Sequence, residues 1–185
     1  MIQLKEINNA VYAANESLVH LGQAEVRYLK DRVMQSERKR IRICTHKNGD
    51  ALLQEMFIAV ARESYIRPSK HVHKEESMHV IEGLANLVFF DETGHITKAI
   101  EMGDRSSGRS FYCRTPESVY HTLLIHSDLL VYHESTQGPF RRTDTFFPSW
   151  APDERDGIAV RAYLERLSVE VDRFQHSKNI FGIPK

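Results

Sequence analysis

The sequence predicts a mainly β fold, an antiparallel β-barrel with a helix at each end. Short β-rich runs recur between residues 41 and 147, and turn-forming residues separate them. Many short strands at this spacing are typical of an antiparallel sandwich or barrel. The segments before and after this region instead carry apolar residues at helical spacing. We therefore expect one barrel core with helices packed at its two ends.

Near the N-terminus, residues 22–37 predict one amphipathic helix. Its apolar face contains Val26, Leu29, Val33 and Met34. The preceding segment AVYAANESLVHL has only short apolar runs, which suit either a strand or an extended arm.

The central region supplies the predicted strands. They are IRICTH, LLQEMFIAVA, MHVIEG, LANLVFFDE, ITKAIEMG, SFYCRT and HTLLIHSDLLVYHES. Residues 84–102 predict a hairpin whose turn is formed by residues 92–94.

The C-terminal segment PDERDGIAVRAYLERLSVEVDRF predicts a second helix, and Pro152 suits a position at its start. The apolar residues expected on one side are Ile158, Ala162, Leu164 or Leu167, and Val171. We divide the chain into an N-terminal arm and helix (1–40), the β-barrel (41–150), and a C-terminal helix and tail (151–185). At 185 residues these parts suit one structural domain.

Composition argues against several function classes. The 25 basic and 25 acidic side chains give a formal net charge of zero, so no global field attracts nucleic acid or a membrane surface. Cys44 and Cys113 provide no disulfide framework and fit a reducing cytosol. The sequence has neither a secretory signal pattern nor an apolar run long enough to cross a bilayer. We expect a cytoplasmic protein with a small-molecule ligand and no membrane span.

The segment RPSKHVHKEESMHVIEG predicts half of a metal site. Residues two apart in a strand point to the same face, so His71 and His73 project together, and Glu76 follows closely. In TPESVYHTLLI, His121 begins another apolar strand, and barrel strands far apart in sequence can converge on one interior. The predicted ligands are therefore His71, His73, Glu76 and His121. This mixed N/O set suits iron, manganese, nickel, zinc or copper.

The two segments resemble the two cupin motifs, which are His-X-His with Glu and Gly in the first and Pro-X-Gly-X-X-His in the second. Together with KRIRICTH, FYCRTPESVYHTLL and GPFRRTDTFFPSWAPDE, they resemble the cupin-fold metalloproteins of the WbuC type, found in bacterial O-antigen gene clusters. The resemblance spans roughly residues 36–154. It implies a jelly-roll β-barrel, one divalent transition metal (Fe, Mn, Ni or Zn), a homodimer and a link to surface-polysaccharide biosynthesis.

The chain departs from the cupin pattern in both motifs. The usual spacing makes Glu76 the motif carboxylate and places the two motif histidines at Ser69 and His71. In the alternative register, His71 and His73 are the pair and the turn before Glu76 is two residues short. We favour the second register because serine is a poor ligand. Ser118 stands where the second motif usually has glycine, which affects turn geometry rather than ligation.

Side chains that flank the motifs are candidates for substrate binding. Arg67, Tyr65 and Tyr112 could hold a carboxylate, a phosphate or a sugar hydroxyl at the barrel mouth, although such residues also pack at strand ends. His79 alternates away from the ligand face, so we expect it to point outward. His46 could approach the site or be a structural histidine.

The segment HSDLLVYHE could supply an Asp–His pair for acid–base work, but a plain strand and turn is the favoured interpretation, and no catalytic residue is assigned. Three functions fit the pattern. The first is a metalloenzyme (isomerase or epimerase, hydrolase, or oxygenase) acting on a sugar or nucleotide-sugar in polysaccharide biosynthesis. The second is a non-catalytic metal-dependent binding protein, and the third is an assembly protein with a structural metal. We favour the enzyme because the His/Glu set leaves coordination positions open.

Overall fold

The computed structural model describes residues 1–180 and is mainly β. Its strands are β1 (Leu4–Asn8), β2 (Val11–Ala14), β3 (Arg40–Cys44), β4 (Leu53–Ala61), β5 (Lys70–His71), β6 (Glu76–Glu82), β7 (Leu84–Phe90), β8 (Ile96–Gly103), β9 (Tyr112–Thr115), β10 (Tyr120–Ile125), β11 (Leu129–Gln137) and β12 (Thr145–Phe146). The helices are α1 (Gln23–Val33) and α2 (Gly157–Ile180). The predicted class, mainly β with a helix on each side, is confirmed.

The strands form two larger sheets and one small one. The seven-stranded sheet has the order β1-β2-β3-β4-β11-β6-β9, the three-stranded sheet β10-β7-β8, and the two-stranded sheet β12-β5. Neighbouring strands are antiparallel, except that β2 runs parallel to β3. Within residues 1–180 this pairing does not close into a barrel, so a closed barrel stays a prediction.

A hydrophobic core lies between the two larger sheets. The seven-stranded sheet contributes Cys44, Met56, Ile58, Val60, Met78, Val80, Leu130 and Tyr132, and the three-stranded sheet contributes Ala85, Leu87, Phe89, Met102, Leu123 and Ile125. Alternation along each strand sends every second side chain into this layer. The core therefore sets the distance between the sheets.

Helix α1 covers the outer face of the seven-stranded sheet. Val26, Leu29 and Val33 are buried there, as the periodicity predicts, against residues of β3, β4 and β11. Met34 is half exposed because the helix ends at Val33. The segment before α1 forms strands β1 and β2, which settles the choice between strand and arm for residues 11–14.

Helix α2 covers the outer face of the three-stranded sheet. Its buried residues are Tyr163, Leu167 and Val171, which pack against Val88 and Phe90. Leu167 and Val171 are buried, as predicted, whereas Leu164 is only partly buried and Ile158 and Ala162 are exposed. The aromatic ring of Tyr163 provides the apolar surface in the first buried turn.

The connection between β6 and β7 depends on a glycine. Gly83 has a positive φ of 96°, a backbone conformation that favours glycine. A side chain at this position would collide with the carbonyl oxygen of Leu129 and with the hydroxyl of Ser127. This close approach holds the start of β7 against β11.

We predict that Gly83→Ala lowers the free energy of unfolding by about 2 kcal/mol or more, because it combines backbone strain with a collision against backbone. Urea unfolding followed by circular dichroism measures the change. Gly157→Ala is the matched control, since nothing lies within 4 Å of its new methyl group. Equal effects of the two substitutions would contradict this account.

Candidate metal centre

Three side chains from separate strands converge at one point. The Nε2 atom of His121 lies 2.5 Å from Glu76 Oε1, and the Nε2 atom of His71 lies 3.5 Å from Glu76 Oε2. One ligand atom from each of the three residues lies within 4.8 Å of the ligand atoms of the other two. We call His71, Glu76 and His121 the triad.

Backbone pairing positions the triad. His71 ends β5, Glu76 begins β6, and His121 lies near the start of β10. Ser69 and His121 exchange two backbone hydrogen bonds of 3.0 and 3.1 Å, which dock the chain before β5 against β10. The Ser118 N–H donates to the His71 carbonyl oxygen at 2.7 Å. Ser69, which stands at a motif histidine position in one of the two sequence registers, therefore contributes its backbone to the site.

The second nitrogen of each imidazole is held by its own partner. His121 Nδ1 lies 2.9 Å from the Val119 carbonyl oxygen, to which it can donate. His71 Nδ1 lies 3.0 Å from the Thr145 hydroxyl oxygen. Such contacts fix the orientation of metal-binding histidines and leave Nε2 as the ligand atom. Both rings therefore present Nε2 toward Glu76.

Within the triad, Glu76 and His121 each favour the charged form of the other. Burial would raise the pKa of Glu76, but the hydrogen bond from His121 and the charges of both imidazoles outweigh it, so the pKa is lowered. Burial would likewise lower the pKa of His121, but the hydrogen bond and charge of Glu76 outweigh it and the pKa is raised. Burial lowers the pKa of His71, and the Glu76 charge opposes this only in part.

Two members of the triad, His71 and Glu76, line a cavity of about 250 Å³. Its lining residues are Arg42, Cys44, His46, Gly49, Gln54, Met56, His71, Lys74, Glu76, Glu134, Thr136, Gln137, Phe140 and Thr145. At about 30 Å³ per water this volume corresponds to roughly eight waters, so a small organic molecule fits. The triad therefore has access to a ligand.

Three charged residues in this cavity have no counterpart in the predicted site, namely Arg42, Lys74 and Glu134. Burial and the nearby charge of Glu76 raise the pKa of Glu134 well above its ordinary value. Within residues 1–180 the Glu134 carboxylate forms no hydrogen bond or ion pair. The segment HSDLLVYHE contained the signal for Glu134, but the sequence does not show which face of the strand borders the cavity.

His73 lies outside the triad. Strand β5 ends at His71, and His73 has a positive φ of 62°, so the alternation that would place it beside His71 is interrupted. Its side chain is exposed, and its backbone N–H donates to a Glu117 carboxylate oxygen at 3.0 Å. Its assignment as a ligand stays a prediction.

The other histidines near the motifs have distinct positions. His79 is exposed on β6, where it packs against the ring of Phe111. His46 lines the cavity, and its Nδ1 lies 3.1 Å from the Glu55 backbone nitrogen, which can donate to it. His46 is therefore both close to the cavity and engaged by β4.

The three predicted substrate-binding residues do not line the cavity. Arg67 pairs with Asp153 at 3.2 Å, and the hydroxyl of Tyr65 donates to the Pro152 carbonyl oxygen at 3.1 Å. Both contacts tie the segment before α2 to the sheets. Tyr112 is exposed on β9. Their role in substrate binding stays a prediction.

The donor set of the triad fits a divalent transition metal. Two imidazole nitrogens and one carboxylate oxygen are ligands that zinc, iron, manganese and nickel all accept. Three protein ligands beside a cavity leave positions open for water or substrate, as in catalytic rather than structural sites.

Comparisons with known proteins give distant matches. A family model described as a domain of unknown function (DUF6016) matches residues 21–102, which is less than half of the chain. No curated protein matches. Within residues 1–180, no helix combines the length and apolar character needed to span a membrane.

Several solved structures share part of the fold. Protein SO0799 from Shewanella oneidensis has a TM-score of 0.46 at 10% identity, covering 56% of this chain and 66% of that one. An oxalate decarboxylase variant from Bacillus subtilis has a TM-score of 0.42 at 18% identity, with 51% and 24% covered. Procruciferin, an 11S globulin from Brassica napus, has a TM-score of 0.40 at 10% identity, with 48% and 21% covered. The assignment of the metal centre rests on its own side-chain geometry.

We predict that His71→Ala, Glu76→Gln and His121→Ala each weaken metal binding more than about 100-fold, because each removes or neutralises a ligand, whereas outer contacts typically account for 10- to 100-fold. Titration with zinc followed by calorimetry measures the affinity. His79→Ala is the control and should bind metal like the unmodified protein.

His73→Ala decides between the two sequence registers. Because the His73 side chain is exposed and outside the triad, we expect its removal to leave metal affinity within about threefold, far below the cost of losing a ligand. A loss as large as that of His71→Ala would make His73 a ligand and require the loop after β5 to rearrange.

Glu134 predicts a pH dependence of the metal-free protein. A carboxyl whose pKa is raised on folding contributes its full stability below the ordinary value of 4.5 and loses it as pH rises through the raised pKa. As pH rises from acidic to alkaline, the free energy of unfolding of Glu134→Gln should therefore fall less than that of the unmodified protein. Urea unfolding across the pH range tests this, with exposed Glu63→Gln as the control. Parallel curves for all three proteins would refute it.

Proposed function

We propose that this protein is a metal-dependent enzyme that acts on a small, sugar-derived molecule. The observation that carries the proposal is the convergence of two Nε2 atoms and one carboxylate beside a cavity whose wall also contains an unpaired carboxyl, Glu134. A structural metal site is coordinatively closed and has no use for an adjoining cavity.

A divalent metal bound by the triad would supply Lewis-acid charge that polarises a carbonyl or hydroxyl of the ligand. The protein's own residues do the rest. Thr145 and the Val119 carbonyl hold the two imidazoles in place. Because metal ligands have to be deprotonated, a bound metal would displace any proton shared by His121 and Glu76.

Glu134 is suited to moving a proton in this site. Its carboxyl lines the cavity and lacks a hydrogen-bond partner among residues 1–180, and in the metal-free protein burial and the charge of Glu76 raise its pKa. A carboxyl with a raised pKa is an efficient general acid or base near neutral pH. Among isomerase, hydrolase and oxygenase chemistry, this arrangement favours isomerase or epimerase reactions, in which a proton leaves and returns to carbon next to a carbonyl.

The sugar-derived substrate and the role in O-antigen or other surface-polysaccharide biosynthesis rest on the resemblance of the quoted motifs to the WbuC-type cupins. The same resemblance supports a jelly-roll barrel and a homodimer. A cytoplasmic location rests on composition.

Elemental analysis of protein purified without a histidine tag or added metal tests the metal centre. We expect about one equivalent of iron, manganese, nickel or zinc per chain, absent from His121→Ala. Failure of the unmodified protein to bind metal even after reconstitution would overturn the proposal.

Hydrogen exchange tests the enzymatic part. We expect the metal-loaded protein, in D₂O, to introduce deuterium next to the carbonyl of one member of a panel of sugars, sugar acids and nucleotide-sugars, as followed by NMR. Glu134→Gln should retain the metal and reduce exchange at least about 100-fold, the usual size of a general-base contribution. Ligand binding without exchange would favour the non-catalytic binding protein instead.

A further inference from the structure

The cavity beside the triad contains a buried lysine. Lys74 is only 7% exposed, and its side chain lines the cavity together with His71 and Glu76. An ammonium group carries three hydrogen-bond donors. Within residues 1–180, however, the Lys74 ammonium forms neither a hydrogen bond nor an ion pair, and its nitrogen lies 5.5 Å from the centre of the Phe140 ring.

The position of Lys74 is electrostatically unusual for a metal site. Its charge acts on His71, Glu76 and Glu134, so the ammonium is close to the groups around the triad. A second cation in a partly desolvated cavity repels a divalent metal, and a buried charge without a partner is costly. Glu76 is already engaged by both imidazoles. Glu134 lines the same cavity, but within residues 1–180 it forms no ion pair with the ammonium.

A bound anion would offset the repulsion between the ammonium and the metal, and would give the ammonium a partner. It would ligate the metal and accept the hydrogen bonds that the ammonium has to donate. Arg42 lines the same cavity and adds a further positive charge. Phe140, which is 58% exposed, offers an apolar surface beside the ammonium for the carbon skeleton of a ligand.

We propose that the cavity binds a small organic carboxylate, such as a sugar acid, between the triad metal and the Lys74 ammonium. This inference rests on the proposed function, because it names the substrate class of the same site. The volume of about 250 Å³ accommodates such a ligand but not a polymer.

Matched ligands test the charge requirement without any substitution. Calorimetric titrations of the zinc-loaded protein would compare glucuronate with glucose, and glycolate with ethylene glycol. We expect each carboxylate to bind at least 10-fold more tightly than its neutral counterpart. Equal affinities within both pairs, or tighter binding of inorganic phosphate than of either carboxylate, would overturn the inference.

Lys74→Met removes the charge and keeps a long side chain. We expect it to weaken carboxylate binding at least 10-fold while zinc stays bound, and Lys74→Arg to retain the preference for carboxylates. Lys5→Met, at an exposed position in β1, is the matched control. Unchanged carboxylate affinity in folded Lys74→Met would overturn the inference.

Zinc content, measured on every sample, separates this inference from the proposed function. If the unmodified protein binds zinc but shows no carboxylate preference, the metal centre stands and the inference fails. If it binds no zinc, the proposed function fails, and the inference, which places the carboxylate against the triad metal, fails with it.

Discussion

The paired backbone hydrogen bonds between Ser69 and His121 are the contact on which the site depends. They join β5 to β10, the edge of the three-stranded sheet, whereas Glu76 belongs to the seven-stranded sheet. Glu76 and His121 therefore lie on two sheets whose separation is fixed by the core between them, and His71 lies on the small β12-β5 sheet. Because such a core is close-packed, the distance between the imidazoles and the carboxylate is set by many apolar contacts remote from the site.

The charged side chains of the triad contribute little to folding stability, so a role in ligand binding explains them better. Glu76 lies between His71 and His121, and each partner supports the ionised carboxylate. A buried pair of this kind contributes little net stability compared with apolar residues of the same size, because desolvation offsets the attraction. A cluster that also contains Lys74 and Glu134, which have no ion-pair partner among residues 1–180, costs more still. Ligand chemistry, rather than folding, accounts for polar groups at this end of the core.

The sequence predicted the features that depend on local pattern. Alternation and turn residues predicted the β class and the hairpin of residues 84–102, and helical spacing predicted α1 and α2. The structure also brings together three of the four predicted ligands, namely His71, Glu76 and His121. Sequence could not predict that Lys74 and Glu134 share their cavity, because that cavity is assembled from strands far apart in the chain. The position of His73 depends on a backbone reversal that strand alternation does not anticipate.

That reversal has a chemical consequence. After His71, the chain leaves the strand because Ser118 donates to the His71 carbonyl and His73 donates to Glu117, and both Ser118 and His73 adopt positive φ. Uninterrupted alternation would place His73 beside His71 and send Lys74 to the opposite face. The turn reverses this, so that His73 is exposed and Lys74 lines the cavity. A short loop thereby brings a cation to the cavity in place of a second imidazole beside His71, and the proposed preference for an anion rests on this charge.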